Sequence, residues 1–317
     1  MNRYLRAVGF TTPPRRREIY RIIELGIAHP AYRAYTTNDD DEESLLAQFD
    51  IEVGDGFGVS FCGQFDGIDE FHPDYYYPYL DSETISSTEE LTVEARVDND
   101  SYAGICDDLK IGAELIFRVR NGIEYVKNQH TSFLPLENTS VTLTALSLEG
   151  TILLPLHKSQ EDIRRKKDSD LKRRKLLNAA RSGDEGAWKD ITVENMDVYS
   201  NLMNFLPQED IYTLVESYFM PHGAECELYS IMGEITASEE RRNRITQEKV
   251  IVLTIDCSGL LLDVAINEKD LSGEPQIGRR FRGTIWLQGR INFPIRSEFP
   301  DLKNFGLGGN SVSNENS

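Results

Sequence analysis

The chain has 317 residues, with 34 Lys and Arg side chains against 53 Asp and Glu, which gives a formal charge of −19 at pH 7. Its 39% of hydrophobic residues indicates a globular protein, and its length favours about two domains. Because a chain this negative repels polyanions at long range, the charge argues against a general binder of nucleic acid or of anionic membranes.

The first 158 residues predict an α+β domain, in which two helices cover a mixed sheet of about four to six strands. We expect a first helix in RREIYRIIELGI, strands at about 46–53 and 57–65 around a turn at Asp55-Gly56, and further strands in FHPDYYYPYL and LTVEARVD. A second helix is expected from Leu109 to Val126, where apolar residues recur at helical spacing. SVTLTALSLEGTILLPL then predicts two short strands.

The rest of the chain predicts three further segments. Residues 159–223 are expected to form a central helical linker or hairpin, whose last helix begins at Pro207 and carries Tyr218 on its inner face. Residues 224–293 are dense in strand signals and predict a small β-barrel of the oligonucleotide/oligosaccharide-binding (OB) type. Residues 294–317 are rich in Gly, Asn and Ser and predict a largely disordered tail.

The length of the apolar runs indicates the protein's compartment, and the spacing of its cysteines indicates the state of its thiols. Arg3 and Arg6 break any secretory signal, and no window has the roughly 18 uncharged apolar residues of a membrane span. The cysteines lack the spacing of a zinc site or of a disulfide framework. We therefore expect a cytoplasmic protein without membrane attachment, metal or cofactor, whose thiols are buried and reduced. The cysteines are Cys62, Cys106, Cys226 and Cys257.

The charge is distributed unevenly along the chain. Residues 36–114 contain 22 acidic side chains and two basic ones, whereas residues 159–182 contain nine basic and four acidic ones. Residues 224–293 are nearly neutral, with nine basic and eleven acidic side chains. The basic segment either binds nucleic acid or docks on the acidic residues of the same chain, and the high effective concentration of a tethered partner favours docking.

No common catalytic or phosphate-binding motif (GxSxG, HExxH, GxxxxGK[ST], or GxGxxG before a helix) occurs in the sequence. The best candidates for catalysis are an imidazole and nearby acids that precede three tyrosines, a group that a sugar or a metal ion could use. An aromatic edge strand beside a polar loop explains the same pattern and is favoured. These candidates are His72, Asp66, Asp69 and Asp74, with Glu70 beside them.

Basic side chains with one aromatic residue are the candidates for binding. Cations beside an aromatic ring are typical of single-strand nucleic-acid binders, but the near-neutral balance of residues 224–293 argues against strong binding. The candidates are Arg164, Arg165, Lys166, Lys167, Arg241, Arg279, Arg280 and Trp286.

Several segments resemble an uncharacterised family from clostridia and related gut Firmicutes, known only as a domain of unknown function. They are MNRYLRAVGF, SYAGICDDLKIGAELIF, LTALSLEGTILLPL, AARSGDEGAW, SYFMPHGAECELYSIMGEI and GEPQIGRRFRGTIWLQGRINF. The resemblance covers about residues 1–293 and implies a bacterial cytoplasmic protein. It implies no activity, ligand or catalytic residue.

These observations favour a non-catalytic binding or scaffolding protein that acts as an interaction module, with a protein as its partner. One alternative is an enzyme that acts on a glycan or nucleotide at the cluster of residues 66–77. Another is an RNA- or ribosome-associated protein that uses the basic segment and the barrel arginines.

Overall fold

The computed structural model describes residues 2–37, 45–66, 70–89, 91–95, 101–108, 111, 113–130, 139–155 and 215–293, with five single residues between 172 and 186. Its helical elements are an N-terminal 3-10 helix (Asn2–Val8), α1 (Arg16–Gly26), α2 (Gly122–His130) and a short 3-10 helix (Glu268–Asp270). Its strands are β1 (Tyr32–Thr37), β2 (Leu45–Gly54), β3 (Phe57–Phe65), β4 (Phe71–Leu80), β5 (Leu91–Ala95), β6 (Tyr102–Asp108), β7 (Ala113–Val119), β8 (Ser140–Leu153), β9 (Tyr218–Pro221), β10 (Leu228–Arg242), β11 (Lys249–Cys257), β12 (Leu260–Asn267), β13 (Leu271–Ser272) and β14 (Arg280–Asn292).

The first sheet consists of β1 to β4, paired antiparallel in chain order. The predicted turn at Asp55-Gly56 is confirmed, and Gly56 has a positive φ of 67°, which glycine adopts without strain. Register places Asp50, Ser60 and Tyr77 side by side across three strands. These residues therefore point to the same face of the sheet.

Five strands of the second sheet close into a barrel in the order β8, β12, β11, β10 and β14, because β14 pairs with both β10 and β8. The pairing of β8 with β12 is parallel, and the other pairings around the barrel are antiparallel. Strands β7, β6 and β5 continue the sheet from β14, while β9 pairs with β10 and β13 with β8. Apolar residues that fill this core include Leu143, Ile231, Leu253, Leu262, Phe281 and Leu287.

The N-terminal 3-10 helix joins the two sheets. Its Tyr4 stacks on Trp286 of β14 with ring centres 5.0 Å apart, and the same apolar cluster includes Val59 of β3. Arg6 forms an ion pair of 2.6 Å with Asp270 beside the barrel. Through this apolar cluster and this ion pair, the N-terminal 3-10 helix holds the first sheet against the outside of the barrel. Among the described helices, none has the length and apolar composition to cross a membrane.

The predicted α+β fold with a mixed N-terminal sheet is wrong, because strands dominate the described residues and the first sheet is entirely antiparallel. The predicted helix from Leu109 to Val126 is also wrong, since β7 covers Ala113–Val119 and α2 begins only at Gly122. Leu115, Phe117 and Val119 lie on one face of the strand, alternate with residues on its other face at period two, and fill the core. The spacing of the apolar residues fits a helix as well as a strand. The strand forms because it buries these residues on one face.

The predicted central helical segment lies mostly outside the described residues. At its end, the expected helix that carries Tyr218 is wrong, because Tyr218–Pro221 is β9 and pairs with β10. A barrel is confirmed, but residues 224–293 do not complete it, since β8 from the first 158 residues lies between β12 and β14. The boundary at residue 158 stays a prediction, and the predicted tail at 294–317 lies outside the described residues.

Candidate functional site

The hairpin between β3 and β4 brings together three of the residues that the sequence singles out. Gln64 pairs with His72 near the end of the two strands. Beyond the last paired strand residues, the backbone N–H of Asp66 donates to the carbonyl of Glu70 at 3.1 Å and extends this pairing. Asp66, Glu70 and His72 therefore point to one face, and each offers a ligand atom within 4.8 Å of the others. We call these three residues with Asp74 the acidic hairpin.

Two hydrogen bonds orient the carboxylate of Asp66. Its Oδ1 accepts from the backbone N–H of Glu70 at 3.0 Å, and its Oδ2 lies 2.9 Å from Nε2 of His72. The hydrogen bond to Asp66 raises the pKa of His72, with a further contribution from the nearby acids. Both side chains are open to solvent, at 57% for His72 and 36% for Asp66.

The structure does not place the other predicted acids of this cluster in the group of Asp66, Glu70 and His72. Asp74 forms a bulge in β4 and accepts a long hydrogen bond of 3.5 Å from Gln64, while Asp69 lies outside the described residues. Tyr75 and Tyr77 turn away from solvent, into the space between the two sheets. The predicted combination of imidazole, acids and phenols is therefore split between an exposed hairpin and a buried region.

That buried region is a polar layer between β2 to β4 of the first sheet and β7 and β14 of the second. Sequence reasoning missed it, although the alternation in AQFDIE and IFRVR puts charged residues on one face of each strand. We call it the polar layer, and its members are Gln48, Asp50, Ser60, Cys62, Tyr75, Tyr77, Tyr79, Arg118, Arg120 and Gln288.

Arg120 is the centre of the hydrogen bonds in the polar layer. Its guanidinium reaches Asp50 at 3.3 Å and Asp81 at 2.8 Å, and it donates to the carbonyl of Leu80 at 2.7 Å. The carbonyl of Arg120 accepts from Gln48 at 2.8 Å and from Tyr77 at 3.1 Å. Two strands of the first sheet, β2 and β4, thus attach to one residue that follows β7.

Aromatic rings cover the two arginines. Arg118 lies over Tyr77 and Tyr75, at 4.2 and 5.5 Å from the ring centres, and Arg120 lies 4.6 Å from the centre of Tyr79. Burial raises the pKa of all three tyrosines, as it raises that of Cys62 to about 11. Near neutral pH these phenols and the thiol therefore hold their protons.

The candidate cations of the barrel do not form one patch. Arg241 binds Glu239 at 2.7 Å, and Arg279 donates to the carbonyl of Glu274 at 2.8 Å. Arg280 is buried and donates to the carbonyls of Leu154 and Val215, and burial lowers its pKa. The Arg and Lys candidates at 164–167 lie outside the described residues.

Trp286 is not exposed for stacking on a ligand. It is 2% exposed, stacked on Tyr4, and its Nε1 donates to Glu227 at 3.0 Å. Of the four cysteines, the prediction of burial is confirmed for Cys62, Cys106 and Cys257, and it is wrong for Cys226, which is exposed.

Comparison with known proteins gives one match. Residues 5–289 match the model of a family described as "Domain of unknown function, E. rectale Gene description (DUF3881)". This match spans most of the chain and confirms the resemblance noted from the sequence. No curated protein and no solved structure matches the chain.

Proposed function

Because the chain belongs to the DUF3881 family, whose description assigns no activity, we propose a function from geometry alone: a non-catalytic cytoplasmic binding protein that contacts a positively charged ligand through the acidic hairpin. The two sheets form the scaffold in this proposal. The hairpin that projects from the first sheet carries the binding groups.

The burial of the polar layer supports the non-catalytic part of this proposal. General acid–base catalysis works best with groups whose pKa lies near the working pH. Burial moves the pKa of Tyr77 and of Cys62 upward, away from neutrality, and Arg120 is held charged by Asp81 and Asp50. In this proposal, groups of this kind attach one sheet to the other.

Charge supports the acidic hairpin as the contact surface. The sequence from residue 34 to residue 95, which includes β2 to β4, contains no Lys or Arg. By contrast, acids on or beside the barrel have basic partners: Glu240 pairs with Lys249 and Glu248 with Lys269. The hairpin therefore presents carboxylates with only His72 as a basic neighbour along these strands, and a cationic ligand would complement them.

The two alternatives have less support from the geometry. An enzyme at residues 66–77 retains the contact between His72 and Asp66, but Tyr75 and Tyr77 do not join it. Nucleic-acid binding through the barrel would need cations and an aromatic ring on the surface, whereas Arg280 and Trp286 are buried.

Fluorescence anisotropy with a labelled oligolysine peptide tests the proposal. The full chain should bind this probe at low ionic strength, and binding should weaken as salt rises. The double variant Asp66→Asn/Glu70→Gln should lose most of the affinity, whereas Glu94→Gln/Glu114→Gln, which removes two exposed charges elsewhere, should keep it. Equal affinities for the two double variants, or no binding at low ionic strength, would contradict the proposal.

A further inference from the structure

We propose that the acidic hairpin binds a divalent transition-metal ion of the zinc type, with Asp66, Glu70 and His72 as its protein ligands. This inference rests on the proposed function, because it identifies the positively charged ligand of the same hairpin. From the sequence we expect a protein without a metal, although this group is one that a sugar or a metal ion could use.

Strand pairing explains why three residues that are four and two positions apart converge. Asp66 and Glu70 lie directly opposite each other across the hairpin, and His72 follows Glu70 on the same face. Tetrahedral ligands at about 2.1 Å from a zinc ion lie about 3.4 Å from one another. The three ligand atoms already lie within 4.8 Å, so the exposed side chains need to move by only about 1 Å.

The donor atoms indicate which metals fit. One imidazole nitrogen with two carboxylate oxygens suits zinc and its transition-metal neighbours, whereas calcium and magnesium prefer oxygen ligands alone. Neutral His72 with ionised Asp66 and Glu70 supplies two negative charges, which match a divalent ion. Three protein ligands would leave a fourth position for water or for a group on a partner.

The negative charge of the group complements the charge of a cation. Like charges directly opposite on paired strands destabilise a hairpin. Asp66 and Glu70 lie opposite each other just beyond the ends of β3 and β4, Asp74 adds a third acid nearby, and His72 contacts Asp66 from the same face. A bound divalent ion would convert this repulsion into attraction.

The orientation of Asp66 also fits ligation. The backbone N–H of Glu70 holds Oδ1, so Oδ2 is the oxygen that faces Nε2 of His72. Metal-ligating carboxylates and imidazoles are usually oriented by such outer hydrogen bonds. Here the hairpin backbone supplies the outer bond without any further side chain.

Isothermal titration of the full chain with zinc chloride, in a Cys226→Ser background that removes the exposed thiol, tests the proposal. We expect one ion per chain. Since loss of an outer-shell group alone costs about tenfold or more in affinity, His72→Ala and Glu70→Gln should each weaken binding at least tenfold. The control His29→Ala, which removes an exposed imidazole elsewhere, should bind like the parent.

Equal affinity of His72→Ala and His29→Ala, or no saturable binding by the parent, would overturn the metal site. If the parent binds oligolysine through Asp66 and Glu70 but not zinc, the metal proposal fails and the proposed function stands. If the binding of neither oligolysine nor zinc depends on the residues of the acidic hairpin, both proposals fail. Circular dichroism spectra of the variants would show that each loss occurs in a folded chain.

Discussion

The guanidinium carbon of Arg118 lies 4.2 Å from the centre of the Tyr77 ring, and both side chains are buried between the two sheets. This pair joins β7 of the second sheet to β4 of the first. Cation–π contacts gain strength when water is excluded, as it is here. The attachment of one sheet to the other therefore depends on polar groups as well as on apolar burial.

Removal of the Tyr77 ring should destabilise the protein far more than removal of its hydroxyl. Tyr77→Ala removes the ring under Arg118 and leaves a cavity, with an expected cost of about 3–5 kcal/mol in the free energy of unfolding. Tyr77→Phe keeps the ring and loses one hydrogen bond to the carbonyl of Arg120, at a cost of about 1 kcal/mol. Urea unfolding curves of the two variants measure the difference, and similar losses would contradict the role of the ring.

Arg120 and Asp50 should show strong coupling. Arg120→Met leaves the carboxylate of Asp50, which is 4% exposed, without its ionic partner, and should cost about 3–5 kcal/mol. Asp50→Asn in the same chain removes the stranded charge and should recover part of that loss. A double-mutant cycle measured by urea unfolding tests this, and additive losses would show that the two side chains act independently.

Glu248 should make stability fall in acid. Its carboxylate accepts hydrogen bonds from Thr11, Asn267 and Lys269, and these bonds outweigh burial and lower its pKa from 4.5 to about 2. A lowered pKa means that the contribution is full above pH 4.5 and is lost as pH falls towards 2. Melting temperatures of the parent and Glu248→Gln should therefore differ most above pH 5 and converge near pH 2. A constant difference across this range would contradict the assignment.

Only one thiol should react in the folded protein. Cys226 is exposed, whereas burial raises the pKa of Cys62, Cys106 and Cys257 and keeps them from forming thiolates. Titration with a thiol-specific disulfide reagent should modify one group in the native chain and four after unfolding. The variant Cys226→Ser should give no rapid reaction, and rapid labelling of a second thiol would show that a core region opens.

Local patterns in the sequence predict the strands β2, β3 and β4, but not β1 or the order of the sheets. The apolar alternation and the Asp55-Gly56 turn are sufficient for β2 and β3, because a tight hairpin is determined by neighbouring residues. They fail for Leu109 to Val126, where apolar residues fit helical spacing while burial selects a strand for Ala113–Val119. Packing against β14, more than 160 residues away along the chain, decides that outcome.

The candidate site could be predicted only in part for the same reason. Asp66, Glu70 and His72 are recognisable as a charged group from the sequence, but their shared face depends on the register of β3 with β4. The polar layer joins strands from three distant parts of the chain, so no spacing rule brings Asp50, Tyr77 and Arg120 together. Its signal in the sequence is weaker: charged residues alternate with core residues in AQFDIE and IFRVR.

Strand β8 has a consequence for how the protein is made. Its strand partners β12, β13 and β14 all follow it in the chain, and the pairing with β14 runs to Asn292. On the ribosome, this apolar strand therefore emerges long before its neighbours and must wait with its edges open, a state prone to aggregation. Such distant pairing also slows folding. We therefore expect synthesis of the chain to rely on chaperones that shield nascent strands until the last one arrives.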